Sequence, residues 1–539
     1  MKNIHFSKQT LCLSAILTLI WGVTIFLVNP LGDFPLNDDF SFGRTVYNLT
    51  EQNRLQFDDW LSMTLIVQVL WGGLFTKLFG FSFTVLRFST LVLTLFGTLA
   101  FNQIAKELDL SGKQALIFTF AAVFNPLFFS LSYTFMTDVP FACMVIFSIL
   151  YFIKFFKSDL LPQLFLASIF SLAAIFIRQL GLMLPMSFAL VWLLGKKLSW
   201  RNTAIALTPL VLSITVFFIY QQWFATTQGI PETYGTITKL FKRIGHGNFL
   251  SVSFNRIGLL FIYLGIFLLP INIILFKKIK KRKQLAWILA TSVIGLAIML
   301  PVWEKFPWGN IFYNFGLGPK ILKDGYFFIN ISPTLSTEMI RLITSIGIGC
   351  GLFFLYNIYN NLGWQKIKAN KYFLIRFFIL SNIILYGGFL LLDVYFFDRY
   401  FIPLILLAII FLMTLNTSKK IEKFRWLAIL TPLLVIILFS ISATHDYLSW
   451  NRARWEALNY LTEEKKISPK KIDGGFEFNG WHKTAEEKNE DGPKSWWWVA
   501  DDEYVVSFGN LGWFNKYRAF PYKTYLPPAT DTIFILKKK

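Results

Sequence analysis

Apolar runs of about 20 residues, each long enough to cross a ~30 Å hydrocarbon slab, recur from residue 11 to residue 443 and leave no room for a series of water-soluble cores. About thirteen such stretches are legible, near 11–29, 83–105, 114–132, 139–157, 160–177, 180–195, 203–224, 254–276, 285–303, 339–359, 373–392, 399–415 and 426–443. Only 15% of the 539 residues are charged and 55% are hydrophobic, against roughly a quarter charged in soluble domains. The chain reads as a polytopic membrane protein whose membrane part is all-α.

The balance of 52 Lys+Arg against 31 Asp+Glu gives a net charge of +21. In a soluble protein that excess points toward nucleic acid. Here its placement says otherwise. With the N-terminus in the cytoplasm, the inside loops hold Lys106 and Lys113, Lys154 and Lys157, Lys196, Lys197 and Arg201, the run Lys277 to Lys283, Lys366, Lys368 and Lys371, and Lys419, Lys420, Lys423 and Arg425. The opposite loops 133–138 and 393–398 contain no cation. This is the positive-inside asymmetry, so much of the charge is an orientation signal, the partner is membrane lipid, and a nucleic-acid role loses its support.

The first span follows Lys2 and Lys8, with no small-residue cleavage pattern before Pro30, and is expected to be a retained anchor. An odd number of spans puts the polar segment from His445 onward outside, with the connections 30–82, 225–253 and 304–338. The expected organisation is a membrane domain over 1–444, including the first external loop 30–82, and a small α/β external domain over 445–539. That domain is expected to open with a helix over Trp450–Thr462 and to carry strands around Lys471–Phe478, Tyr504–Phe508 and Thr532–Leu536. Its tryptophans Trp496, Trp497 and Trp498 suit core packing or membrane-surface contact, or stacking on sugar rings; Asp501 and Asp502 follow them. Cys12, Cys143 and Cys350 all lie in spans, so no disulfide framework is implied. His5, His246, His445 and His482 include no pair at metal-ligand spacing. Gly347, Gly349 and Gly351 mark close helix packing.

The external edge carries the chemistry-bearing residues. After Pro35, Leu36 and Asn37 come Asp38 and Asp39, then Arg44 and Arg54, then Asp58 and Asp59 before Trp60. Adjacent carboxylates at a membrane exit sit either in open water or in a cavity that uses them. Arg44 to Asn53 reads as a short helix, and Leu61 to Phe79, with Trp71 and Lys77, as a helix lying in the interface. Asp138 stands between Thr137 and Val139-Pro140, where it either serves function or stabilises a helix N-terminus. Arg178, in a tight turn with Gln179, and Arg399, beside Asp393, Asp398 and Tyr400, either act in a site or snorkel to headgroups. All fall on one side of the membrane, and their clustering is expected.

The acidic pair Asp38-Asp39, Arg44 shortly after it, the interfacial helix and Thr137-Asp138-Val139-Pro140 resemble the C-type-fold (GT-C) membrane glycosyltransferases, especially the lipid A aminoarabinose transferases and protein O-mannosyltransferases. The resemblance covers about residues 8 to 230 and, beyond them, only the general plan. It implies transfer of a sugar from a polyprenyl-phosphate donor to a lipid, glycan or protein acceptor on the external face, with the acidic pair as catalytic centre. Aminoarabinose transferases have Asp-Glu at the pair and a Lys-Pro that meets the lipid phosphate. This chain has Asp38-Asp39 and, in the second neighbourhood, Asp58-Asp59-Trp60-Leu61-Ser62-Met63.

Phosphate binding then falls to Arg44, Arg178, Arg399 and Lys77, with Asp138, Asp58, Asp59 and Asp398 in support. A sugar phosphate already carries a stable leaving group, so the chemistry needs a base or orienting carboxylate and fixed positive charge. Asp38 or Asp39 supplies the former, arginine's planar fork the latter, and one displacement inverts the anomeric centre. No cofactor is required, and no ligand set demands a metal, although a divalent ion between carboxylates and phosphate is compatible with the scheme. The alternative is a flippase of lipid-linked sugars, but such transporters show paired repeats and mid-membrane charge, and no internal repeat is evident.

Overall fold

The computed structural model describes residues 8–231, 234, 249–276, 311, 337–362, 372–392, 396–415, 425–483, 498–499 and 501–539. The expected span 285–303, most of the connections 225–253 and 304–338, and His5, His246, Asp393, Trp496 and Trp497 lie outside the described residues.

Each expected span within the described residues coincides with helix. In chain order the helices are α1 (Lys8–Val28), α2 (Asp39–Thr50), α3 (Ile66–Phe79), α4 (Phe83–Glu107), α5 (Gly112–Val123), α6 (Pro126–Ser132), α7 (Asp138–Ser158), α8 (Leu161–Ile175), α9 (Met183–Gly195), α10 (Trp200–Thr227), α11 (Phe249–Phe267), α12 (Leu269–Leu275), α13 (Thr337–Leu362), α14 (Phe373–Leu392), α15 (Ile402–Leu415), α16 (Arg425–Asn459) and α17 (Phe476–His482). Among the described residues, eight helices are long and apolar enough to cross a membrane, or nine if a bent pair counts as one span, and four apolar helices are shorter. The protein is a multi-pass membrane protein with a mostly helical body and a small C-terminal sheet.

Local chemistry sets the boundaries. Ser111 and Gln114 form a capping box at the start of α5, and Ser82 accepts from the Val85 amide to start α4; each satisfies donors that a first helical turn leaves orphaned. The expected single span 114–132 is instead broken by 70° between α5 and α6, because Asn125 caps a new helix whose first residue is Pro126. The span 254–276 likewise divides at Leu268, with Pro270 in the next first turn.

In the connection 30–82, α2 begins at Asp39 rather than at Arg44. Asn37 takes a left-handed φ of 62°, and the Asp38 carbonyl accepts from the Ser41 and Phe42 amides. The interfacial stretch expected from Leu61 is helical only from Ile66, because Leu65 is left-handed and its amide is taken by the Ile177 carbonyl.

The window Asp398–Leu415 is 94% buried and that of α10 only 22%, so α15 runs through the protein interior and α10 lies at its rim. As expected from glycine placement, Gly347 and Gly351 of α13 face α11: a Cβ on Gly265 would lie 2.3 Å from the Gly347 carbonyl oxygen and 2.4 Å from the Gly351 nitrogen.

The two ends of the bundle carry different chemistry. At one end Lys157 pairs with Glu107, Lys196 with Asp159, and the Arg425 guanidinium meets the Phe276 carbonyl. The loop preceding α2, the start of α7 and the turn after α8 meet at the other.

The helix α16 passes through position 445 without a break, and its last turns merge into the C-terminal domain. There β1 (Ile472–Asp473), β2 (Tyr504–Ser507), β3 (Phe514–Tyr525) and β4 (Pro528–Lys538) form one sheet in the order β1-β2-β4-β3. The first pair is parallel and the others antiparallel. Two local expectations are corrected: Phe476–Phe478 belongs to helix α17, and β3, with mostly exposed side chains before Phe520, lacked the apolar alternation that marks a strand. The sheet edge is fastened to α16 by Asp446, which accepts from the Tyr525 amide at 2.6 Å and the Leu526 amide at 2.8 Å. His445 stacks on Tyr525 with ring centroids 3.6 Å apart.

Candidate active site

Residues far apart in sequence meet beside the loop that precedes α2. Asp38 immediately precedes α2, and its side chain makes no capping hydrogen bond to the helix. One carboxylate oxygen accepts from Trp60 Nε1 at 3.2 Å and the other from Arg399 Nη2 at 3.2 Å. Arg399 Nε lies 3.9 Å from Asp138 Oδ2, and Arg178 Nη2 lies 2.9 Å from Asp138 Oδ1. Arg178 Nε donates to Thr137 Oγ1 at 2.8 Å. Tyr400 lies against both guanidinium groups, 5.4 Å from Arg178 and 5.7 Å from Arg399, a face-on contact that favours cations. Two carboxylates and two guanidiniums thus form a charge-balanced chain, Asp38–Arg399–Asp138–Arg178, in which Asp38 has the largest side-chain exposure at 16%.

Each member is placed by a local device. Asp138 starts α7, with Pro140 in its first turn. Arg178 is extended between α8 and a short 3-10 turn over Gln179–Leu182. Arg399 lies in the 3-10 turn Asp398–Phe401 that leads into α15. Burial makes the pairing obligatory, since a lone buried charge is costly.

The two residues of the acidic pair have different surroundings. Asp39 is buried and its Oδ2 accepts from the Phe135 amide at 2.9 Å, while Oδ1 has no hydrogen-bond partner. Burial pushes its carboxyl up to about 8, against a downward pull from the Phe135 amide and the Arg87 charge. At neutral pH Asp39 is a neutral acid that ties α2 to the segment before α7. Asp38 remains as the solvent-reachable carboxylate of the pair.

Arg44 and Asp58 form a second centre. Arg44 Nη1 lies 3.1 Å from Asp58 Oδ2, and its Nη2 donates to the Gly480 and Trp481 carbonyls at the end of α17. Lys483 Nζ reaches the same Asp58 oxygen at 3.0 Å. Asp58 Oδ1 accepts from the Trp60 amide at 3.0 Å, which links this centre to Asp38.

Three predicted residues stand apart. Asp398 is fully buried and accepts from the Ile311 amide at 3.0 Å and from the Tyr263 hydroxyl at 3.4 Å. Asp59 is exposed, and Lys77 is exposed in the last turn of α3. Among the described residues, no group of three or more His, Cys, Asp or Glu side chains is placed to hold a metal ion.

Sequence reasoning missed Arg87, Trp60, Glu477 and Lys483. Arg87 is buried in α4 and donates to the Pro30, Gly32 and Phe34 carbonyls, which sets the path of the first loop. A lone arginine within an apolar span is a signal that was available. No local signal existed for Glu477 and Lys483, more than 400 residues from their partners Asn37 and Asp58.

Residues 69–223 match the family described as dolichyl-phosphate-mannose-protein mannosyltransferase. Across that segment the chain is mannosyltransferase-like. The mannosyltransferase-like segment includes Lys77, Asp138 and Arg178; it begins after Asp38, Asp39, Arg44, Asp58 and Asp59, and ends before Asp398 and Arg399. No curated protein matches the chain. Two solved structures show a distant likeness. ArnT from Cupriavidus metallidurans, bound to undecaprenyl phosphate, is 10% identical over 98% of this chain and 97% of that one, with a TM-score of 0.39. The oligosaccharyltransferase AglB from Archaeoglobus fulgidus, in complex with an inhibitory peptide and a dolichol-phosphate, is 14% identical over 85% of this chain and 58% of that one, with a TM-score of 0.42. Superpositions this loose carry no argument about the site, which rests on the geometry above.

Proposed function

We propose that the protein is an integral membrane glycosyltransferase that moves a sugar from a polyprenyl-phosphate donor to an acceptor on the external face, with inversion. The observation that carries this reading is Asp38, the most exposed carboxylate of a buried chain of ion pairs, held at both oxygens by Trp60 and Arg399. A carboxylate so held is aimed. It accepts the proton of an acceptor hydroxyl, or orients it, as that hydroxyl's oxygen bonds to the anomeric carbon from the opposite face, the bond from anomeric carbon to phosphate oxygen breaks, and the phosphate leaves with the electron pair. Arg399 is the cation paired with Asp38 among the described residues, and a phosphate that shares its fork is stabilised as charge develops. Asp138 keeps Arg178 and Arg399 side by side. Lysine placement supports an orientation with the N-terminus cytoplasmic and the C-terminal domain outside, and the setting proposed is the bacterial inner membrane.

The test is transfer by the purified protein in detergent, supplied with polyprenyl-phosphate sugars, where no two-sided membrane remains for a flippase to act across. Asp38→Asn is expected to lower turnover by on the order of 10²- to 10⁴-fold with unchanged expression. Wild-type turnover in that variant would sink the assignment.

A further inference from the structure

The first external loop has no regular structure from Glu51 to Leu65, yet this stretch supplies the indole that holds Asp38. Loops of that kind need fixing from elsewhere. The fixing comes from α17. Glu477, at its start, accepts from the amide of Asn37, the residue before Asp38, at 3.1 Å, and is itself held by Arg454 Nη1 at 2.9 Å. Lys483, immediately after its end, neutralises Asp58 together with Arg44, and Asp58 in turn holds the Trp60 amide. Between these two anchors a Cβ on Gly480 would lie 2.6 Å from the Phe40 ring, so α17 lies directly against α2. Trp60 packs edge-on against Trp498 at 5.2 Å, and Phe40 against Phe476 at 5.3 Å.

We infer that α17 is a positioning element for the transfer reaction: Glu477 fixes the backbone entering Asp38, and Lys483 acts through Asp58 and Trp60 on its carboxylate. The inference rests on the glycosyl-transfer reading for its kinetic consequence, but the linkage itself does not. Lys483 is the better probe, because it is 28% exposed while Asp58 is 1% exposed and still keeps Arg44 when the lysine is lost. Glu477 is buried beside Arg454, so its removal risks the fold.

The experiment uses the full-length protein. Lys483→Met is expected to lower kcat by roughly 10- to 100-fold, the cost of a displaced reacting group, with the KM for the lipid-phosphate sugar unchanged, and Lys483→Arg is expected to restore kcat. In parallel, carbodiimide labelling of Asp38, read by peptide mass spectrometry without substrate, is expected to rise several-fold in Lys483→Met and to return to the wild-type level in Lys483→Arg. Unchanged labelling of Asp38 overturns the linkage, and an unchanged kcat overturns its role in positioning. If Asp38→Asn transfers sugar normally, it is the functional reading that fails, while the labelling still decides the linkage.

Discussion

Asp38 and Asp39 are neighbours of the same type with opposite assignments, and burial makes the difference. In the folded protein Asp39 keeps its proton up to about pH 8, whereas an exposed aspartate ionises near 3.8. The unfolded chain therefore binds fewer protons than the folded one between those values. The stabilisation from Asp39 is complete below pH 3.8, and it is lost as pH rises through about 8. Asp39→Asn keeps an oxygen for the Phe135 amide and cannot ionise. Its melting temperature is expected to gain on the wild type steadily from pH 4 to pH 8, and transfer at pH 7 is expected to survive. A constant difference in melting temperature across that range would show that Asp39 is already ionised in the fold.

At the scale of elements, the site depends on how short turns aim long arginines. The Gly181 amide donates to the Arg178 carbonyl, and the Arg178 amide to that of Ala174, both at 2.9 Å. A Cβ on Gly181 would lie 2.5 Å from the Ile175 nitrogen and 2.7 Å from the Ala174 carbonyl carbon. These are backbone atoms, so the turn itself has to open. Gly181→Ala is expected to cost about 1–3 kcal/mol of stability, as overpacking does, and to swing Arg178 away from Asp138. Turnover should fall well beyond what the stability loss explains, as measured by kcat at a temperature where both proteins are fully folded. Equal turnover would show that the Arg178–Asp138 pair does not need this turn.

Taken whole, the molecule divides into what periodicity encodes and what distance in the chain conceals. Apolar run length located the helices because the membrane imposes it, and the sorting of Glu107, Lys157, Asp159 and Lys196 to one end, with Asp38, Asp138, Arg178 and Arg399 at the other, follows the lysine pattern of the loops. The helix breaks at Asn125 and Leu268 were masked by the apolar runs on either side, although Asn125-Pro126 and Pro270 are local signals for them. The contribution of the C-terminal domain was hidden because hydropathy carries no information about which polar residues pair, and Glu477 and Lys483 have ordinary local surroundings. That domain is in turn held to the membrane part by α16, where Asp446 accepts two backbone amides from the β3–β4 turn. Asp446→Ala leaves both amides without their carboxylate, at about 1–3 kcal/mol for each that stays buried. The expected result is a lower melting temperature, with hydrogen exchange accelerating first in Phe514–Lys538 and leaving α4 and α7 protected. Uniform acceleration would mean instead that the sheet and the helical body unfold as a single cooperative unit.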